Sequence, residues 1–237
     1  MLPARLTSQN ALFLDFDGTL AEVPVTPDAV NLPPGLPAML HRLYDRLGGA
    51  VALITGRDIS DLRKYLPDFP GAISGSHGAE LSLDGRTIST TDDTQLDIPA
   101  LHAAAHQFAR GYPPILVEEK RHGVVLHYRA DPSLAEVVHA AMRQLQRDFP
   151  GTGLQAAKMQ VELRPAGVGK DKALDRLMEL SPYRGRIPVY AGDDLPDEVA
   201  MAEAQARGGI AIKVGDGETV AHYRVANPAA LAAWLDP

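Results

Sequence analysis

The chain contains no cysteine. Disulfides, thiol catalysis and thiolate metal sites are therefore excluded. A broad basic field is also missing: 23 lysines and arginines stand against 30 aspartates and glutamates, a formal net charge of −7. Such a balance argues against a nucleic-acid or anionic-membrane partner. Two local basic clusters remain, Lys120-Arg121 and Arg184-Gly-Arg186, each serving either an anionic ligand or a solvated face. No apolar run approaches membrane-spanning length, and the first eight residues carry no charged lead into a long apolar core. The expectation is a cytoplasmic protein, a location the absence of cysteine permits without proving.

What is present is the composition of a soluble globular protein, 45% apolar and 22% charged. Its 237 residues can bury a substantial core. They are many for one compact domain and few for two full ones, so one core with an inserted or appended subdomain is expected.

The most informative stretch is Phe13-Leu-Asp15-Phe-Asp17-Gly18-Thr19-Leu20. Two aspartates stand two apart at the end of an apolar run, Ala11–Leu14. Strand side chains alternate with period two, so on a continuing strand both carboxylates would share a face. Gly18-Thr19 then offers unhindered backbone N–H groups. Such an arrangement can hold a divalent cation and a phosphate together; a strand running into an ordinary Asp-Gly turn is the alternative. An EF-hand loop also opens Asp-x-Asp but requires Gly at its sixth position and Glu at its twelfth. Those positions hold Leu20 and Thr26, which excludes it.

The chain alternates strands and helices at both ends and changes style in the middle. After the first strand and a Pro-rich loop, Leu36, Met39, Leu40, Leu43 and Leu47 mark one face of a helix over 36–47, closed by Gly48-Gly49. Strands follow over 50–54, 72–74 and 79–83, with Asp58 able to cap a short helix through Tyr65. This spacing implies a parallel sheet with crossover helices. From about Ile98 the pattern reads helix (100–110), two strands (115–119, 123–129), a long helix (132–149) and two strands (154–158, 160–163). That is an αββαββ unit with a four-stranded antiparallel sheet. The crossover style returns with helices over 170–180 and 196–207, strands over 187–191 and 209–214, and a last helix capped by Asn227-Pro228.

Further clusters sit at predicted strand ends. Thr55-Gly56-Arg57 follows an apolar strand, where the Thr55 hydroxyl and the Gly56 N–H suit an anionic oxygen or simply end the strand. Gly192-Asp193-Asp194-Leu-Pro-Asp197-Glu198 places four acids after another apolar strand. Capping a helix needs one of them, which leaves a cation as the reason for the others. Lys170, in Gly-Val-Gly-Lys, opens a helix as a compensating positive charge or as a surface lysine. It is not a Walker loop, whose first glycine would fall at Arg164. Gly151-Thr-Gly-Leu-Gln-Ala156 satisfies a dinucleotide pattern in the wrong context, between a helix and a strand. His102 and His106 share a helix face without a third ligand nearby in sequence, so a solvated face is expected there rather than zinc.

The order Asp-x-Asp-Gly-Thr-Leu, Thr-Gly-Arg, Gly-Lys and Gly-Asp-Asp-x-x-Asp resembles the four motifs of haloacid-dehalogenase-superfamily phosphatases, and the αββαββ insert resembles their large cap. Gly75-Ser-His77-Gly-Ala-Glu80, Val117-Glu118-Glu-Lys120 with His127-Tyr-Arg129, and Val161-Glu162-Leu-Arg164-Pro165 resemble the trehalose-6-phosphate phosphatase family in particular. One departure is Pro196, where the family usually carries Thr.

The resemblance implies an α/β fold: a Rossmann-like core over 1–97 and 166–237, with a substrate-specificity cap over 98–165 hinged to it. It implies Asp15 as nucleophile, forming an aspartyl-phosphate, and Asp17 as general acid and then base. Mg²⁺ would be held by Asp15, the Asp17 carbonyl and Asp193, with Asp194 and Asp197 ordering its water. Thr55, Lys170 and the Gly18 and Thr19 amides would bind phosphate oxygens, with Gly56, Arg57 and His77 also lining the substrate. Glu118, Lys120, Arg129 and Glu162 match sugar-gripping positions. A sugar phosphate is then the partner, with no nucleic acid or membrane, and a monomer is expected. Another glycosyl phosphate, such as mannosyl-3-phosphoglycerate or sucrose phosphate, is the alternative substrate, and a catalytically silent relative the alternative class. A phosphomutase shares the first motif, but the later signatures do not suggest one.

Overall fold

The computed structural model describes residues 3–22, 30–90 and 96–236. The Pro-rich loop after the first strand lies partly outside them. The chain divides into two compact units, Met1–Ile88 with Gly169–Pro237, and Ser89–Val168. In chain order the elements are β1 (Asn10–Leu14), α1 (Leu36–Arg46), β2 (Val51–Ile54), α2 (Ile59–Tyr65), β3 (Ala72–Gly75), β4 (Glu80–Leu83) and β5 (Arg86–Ser89). Then come α3 (Ile98–Ala109), β6 (Leu116–Lys120), β7 (Gly123–His127), α4 (Ala135–Asp148), β8 (Thr152–Ala157) and β9 (Gln160–Pro165). The last are α5 (Lys170–Met178), β10 (Ile187–Gly192), α6 (Leu195–Ala206), β11 (Ile210–Val214), β12 (Tyr223–Val225) and α7 (Pro228–Leu235).

The first unit is built on an eight-stranded sheet in the order β12-β11-β10-β1-β2-β3-β4-β5. β1 lies at its centre, parallel to β10 on one side and β2 on the other. Both faces of β1 are covered, which is why it reads as a continuous apolar run rather than an alternating one. Leu12 and Leu14 face a core shared with α1 and α7, through Leu40, Leu43 and Trp234. Ala11 and Phe13 face the opposite core, with Leu174 and Leu177 of α5 and Met201 of α6. The α1 stripe Leu36, Met39, Leu40 and Leu43 is buried as its spacing requires, each such side chain contributing about 1.5–3 kcal/mol.

Some details differ from the sequence reading, among them β5, which it did not include. β4 runs antiparallel to β3, because the link between them is far too short for a crossover. Asp58 precedes α2 but does not cap it with its side chain. Asp58 instead accepts from the Ser76 hydroxyl at 2.6 Å, and the amide of Ile59 donates to Glu80 at 2.9 Å. β12 is a three-residue edge strand, Tyr-Arg-Val, too short for its alternation to reveal it. The basic pair near 185 serves the fold: Arg184 donates to the carbonyl of Glu179 and Arg186 to those of Asn10 and Leu47.

The second unit is an αββαββ arrangement whose antiparallel sheet runs β6-β7-β9-β8. Leu126 and Val161 are paired across the sheet, and both are buried in the core that also holds Leu101 of α3 and Met142 of α4. The other face is polar. Glu118 stands opposite Val125, Val125 opposite Glu162 and Glu162 opposite Gln155, so these four share it. His102 is not on a solvated helix face: its Nε2 meets the carbonyls of Lys120 and Gly123 at 3.1 and 2.8 Å, tying α3 to the β6–β7 turn.

Candidate active site

Asp15, Thr55 and Asp193 each follow a parallel strand of the first unit, β1, β2 and β10. Carboxyl ends of such strands are where open α/β sheets place ligands. Lys170 starts α5, and its ammonium lies 2.6 Å from Asp15 Oδ1 and 2.6 Å from Asp197 Oδ1. It is 4% exposed, which removes the surface-lysine alternative. The Thr19 hydroxyl lies 3.2 Å from Asp15 Oδ2 and 3.1 Å from Asp193 Oδ1. One hydroxyl proton thus faces two carboxylate oxygens and can serve only one of them at a time.

Asp197 is fully buried. Its Oδ1 also accepts from Tyr190 at 2.6 Å, and its Oδ2 from the amides of Asp193 and Asp194 at 3.1 Å each. Gly192 makes this possible: a Cβ there would lie 2.4 Å from the Asp197 carboxyl carbon. Gly18 is equally constrained. Its φ is +85°, and a Cβ would lie 2.1 Å from Asp193 Oδ2.

Carboxylate oxygens of Asp15, Asp193 and Asp197 lie within 4.8 Å of one another. Burial, reinforced by the charge of Asp197, drives the Asp15 carboxyl well above its ordinary range despite the pull of Lys170. The same two causes push Asp193 up to about 6. Two buried carboxylates and a half-buried third against one ammonium are an excess of negative charge, relieved by a proton or by a cation. The donor set fits a hard divalent cation, with Asp15 and Asp193 as the carboxylates that would hold it. Asp197 is fully engaged by Lys170, Tyr190 and two amides, so its part is to orient the others.

Several sequence expectations change. β1 stops at Leu14, so Asp15 and Asp17 do not share a strand face. Asp17 stands apart from the three clustered carboxylates; Arg57 Nε reaches its Oδ2 at 2.6 Å and Nη2 its Oδ1 at 2.8 Å. Gly18 and Thr19 do not keep their amides for a phosphate: Gly18 donates to the Ala21 carbonyl at 2.7 Å and Thr19 to that of Phe16 at 3.4 Å. Of the four acids after β10, three hold structure. Asp194 and Asp197 form a capping box at α6, and Glu198 takes the Lys213 ammonium and the Thr219 hydroxyl. Asp194, expected to order water on the metal, has one oxygen on the Leu195 amide at 2.8 Å.

The remaining core positions are tightly held. Thr55 Oγ1 accepts from the Arg57 amide at 3.1 Å, and the Thr55 carbonyl accepts from the His77 amide at 2.9 Å. The His77 ring packs on Gly56, where a Cβ would meet its Nε2 at 2.5 Å. In the second unit Glu118 is held between Lys120 at 2.6 Å and His127 at 2.7 Å. Burial disfavours its charge, but His127 and Lys120 outweigh that and bring it down to about 2. Glu162 is 5% exposed, while Arg129 is exposed beyond the end of β7. Tyr190 and Lys213 were not singled out from sequence, and His127 entered only within the His127-Tyr-Arg129 motif. Each sits inside or at the end of an apolar strand, and a polar side chain there is the available signal.

Residues 13–229 match the model of the trehalose-phosphatase family. The chain is 34% identical over 236 residues to the trehalose-6-phosphate phosphatase of Escherichia coli K12, covering 98% of this chain and 87% of that one. It is 38% identical over 209 residues to a Sinorhizobium fredii NGR234 protein described as a "Probable trehalose-phosphate phosphatase", covering 86% and 77%. A crystal structure of a trehalose-6-phosphate phosphatase related protein superposes with a TM-score of 0.82 at 26% identity, covering 94% of each chain. The fold is shared with a haloacid dehalogenase-like hydrolase from Bacteroides thetaiotaomicron, with a TM-score of 0.67 at 16% identity, and the relatives make the chain an enzyme, a phosphoric monoester hydrolase. The chain belongs to the trehalose-phosphatase family.

Proposed function

We propose that this enzyme hydrolyses trehalose 6-phosphate to trehalose and phosphate, with Mg²⁺, through an aspartyl-phosphate, an acyl phosphate, on Asp15. The observation that carries the reading is the Asp15 carboxylate, buried at the end of the central strand between Lys170 and Thr19, beside Asp193. A carboxylate oxygen of Asp15 attacks phosphorus, and the bond from phosphorus to the sugar oxygen breaks. Asp17, protonated once one of its oxygens leaves Arg57, gives its proton to the sugar oxygen, then takes one from the water that attacks the acyl phosphate and frees Asp15. Lys170 balances the charge that Asp15 and the phosphate bring together, a dominant requirement in phosphoryl transfer. Asp15 and Asp193 would hold Mg²⁺, which supplies positive charge beside the phosphate when bound.

In this reading Thr55 and the neighbouring Gly56, Arg57 and His77 border the phosphate. The Ser89–Val168 unit acts as the specificity cap, its Glu118, Lys120, Arg129 and Glu162 reading sugar hydroxyls. The enzyme acts as a cytoplasmic monomer; no helix among the described residues is long and apolar enough to cross a membrane. Phosphate release from a panel of phosphorylated sugars, with Mg²⁺ and with excess EDTA, tests this. Trehalose 6-phosphate is expected to be turned over best, EDTA to abolish turnover, and Asp15→Asn to lower it by orders of magnitude with the fold intact. Preference for mannosyl-3-phosphoglycerate or sucrose phosphate would replace the substrate; full activity of Asp15→Asn would replace the mechanism.

A further inference from the structure

The first unit holds a buried cation that the proposed chemistry does not use. Lys213 lies on β11, 4% exposed, opposite Gly192 in the sheet register. It belongs to the same strand face as Ala211, the face covered by α6. Its ammonium donates to the main-chain carbonyl of Asp193 at 2.5 Å and lies 3.3 Å from Glu198 Oε1. The other oxygen of Glu198 accepts from the Thr219 hydroxyl at 3.1 Å and the Val220 amide at 2.8 Å.

Both polar groups of the Asp193 main chain are therefore pinned. Its amide is held by Asp197 and its carbonyl by Lys213. Glu198 balances the charge of Lys213, so the pair adds no net charge behind the acidic cluster. What it supplies is orientation. A lysine buried in an otherwise apolar strand is costly unless hydrogen-bonded and paired, and here its nearest partner is a carbonyl at the site, with the carboxylate beyond it. We infer that Lys213, braced by Glu198, is a positioning residue that fixes the Asp193 backbone so that its carboxylate is presented to the divalent cation beside Asp15.

This rests on the metal reading above, and the test separates the two. Mg²⁺ alone is titrated calorimetrically into the full chain without substrate, well below the melting temperature. Lys213→Met keeps length and loses the donor; its Mg²⁺ affinity is expected to fall about tenfold or more, as when groups supporting a metal ligand are removed. The double variant Lys213→Met/Glu198→Gln guards against misfolding. It leaves no lone carboxylate, and the amide oxygen still accepts from Thr219 and Val220. It is expected to keep its fold and show the same loss. Wild-type Mg²⁺ affinity in the folded double variant, whatever its melting temperature, overturns the positioning role alone. A wild-type protein that takes up no Mg²⁺ overturns the metal reading and this inference with it.

Discussion

The guanidinium of Arg57 holds the carboxylate of Asp17 through two parallel hydrogen bonds and gives its third nitrogen to Asp61 at 2.6 Å. It also lies over the rings of Phe16 and Tyr65, 5.8 and 5.4 Å from their centroids. Such a fork fixes a carboxylate in direction as well as distance. Arg57→Lys cannot reproduce it. If Asp17 is the proton donor, Arg57→Lys should lower turnover of trehalose 6-phosphate by roughly tenfold to hundredfold, a fraction of what acid catalysis contributes. The loss on p-nitrophenyl phosphate, whose leaving group needs no proton, should be much smaller. Equal losses on both substrates would remove Arg57 from this role.

Lys170 is expected to be essential for both stability and rate. Removing it leaves Asp15 and Asp197 facing each other in the core. Breaking a buried pair in this way costs about 3–5 kcal/mol, so Lys170→Ala should melt markedly lower and lose more than about a hundredfold in turnover. Adding Asp197→Asn should restore part of the melting temperature without restoring activity. Normal turnover of Lys170→Ala would contradict the charge argument.

Gly18→Ala tests the packing of the first loop on Asp193. The left-handed backbone, at φ +85°, penalises an alanine by about 1–2 kcal/mol. The larger effect is expected at the site, because the new methyl group meets the Asp193 carboxylate and must displace it. Mg²⁺ affinity, measured on protein that is still folded, should fall. Unchanged affinity would show that the loop can yield without disturbing Asp193.

Legibility in the sequence followed the physics of strand ends. Asp15 and Asp193 were visible because each terminates an apolar run, and Lys170 because a glycine and a helix start precede it. The partners of these residues were not. Asp17 parts from Asp15 only because β1 ends one residue before the first aspartate, and strand ends are set by tertiary pairing. Lys213 stands inside Ile210-Ala-Ile-Lys-Val214, where only the fold says which atom its ammonium reaches. The αββαββ order was readable from periodicity, whereas the antiparallel turn of β4 and the short β12 depend on neighbours distant in sequence. The acids after β10 suggested a cation through their number, yet three of them proved to hold α6 and its surroundings.

On the polar face of the second sheet, Glu118→Ala and Glu162→Ala are expected to depress turnover of trehalose 6-phosphate much more than of p-nitrophenyl phosphate. Charge-assisted hydrogen bonds to sugar hydroxyls are worth about 1.5–3 kcal/mol each when desolvated. Losses that match on the two substrates would show that these carboxylates do not read the sugar.

Glu118 also predicts a pH effect. Its carboxyl falls from an ordinary 4.5 to about 2 in the folded protein. The stabilisation, on the order of 2–3 kcal/mol, is present above pH 4.5 and lost as pH falls toward 2. The melting-temperature gap between wild type and Glu118→Gln should therefore be widest above pH 5 and close on acidification. A gap constant from pH 6 to pH 2 would contradict the ion-paired state.

The central position of β1 has a consequence for how the enzyme is made. Asn10 stands opposite Ile187 in the sheet, so one edge of β1 stays unpaired until the chain has been made as far as β10. Ser89–Val168, with its own core, is complete long before. Strands β1, β2 and β3 meanwhile present an apolar edge of the kind that recruits other chains. Lys170, one of the partners of Asp15, is made 155 residues after it, and Asp193 later still. A nascent chain therefore carries Asp15 past the completion of the Ser89–Val168 unit with neither Lys170 nor Asp193 beside it.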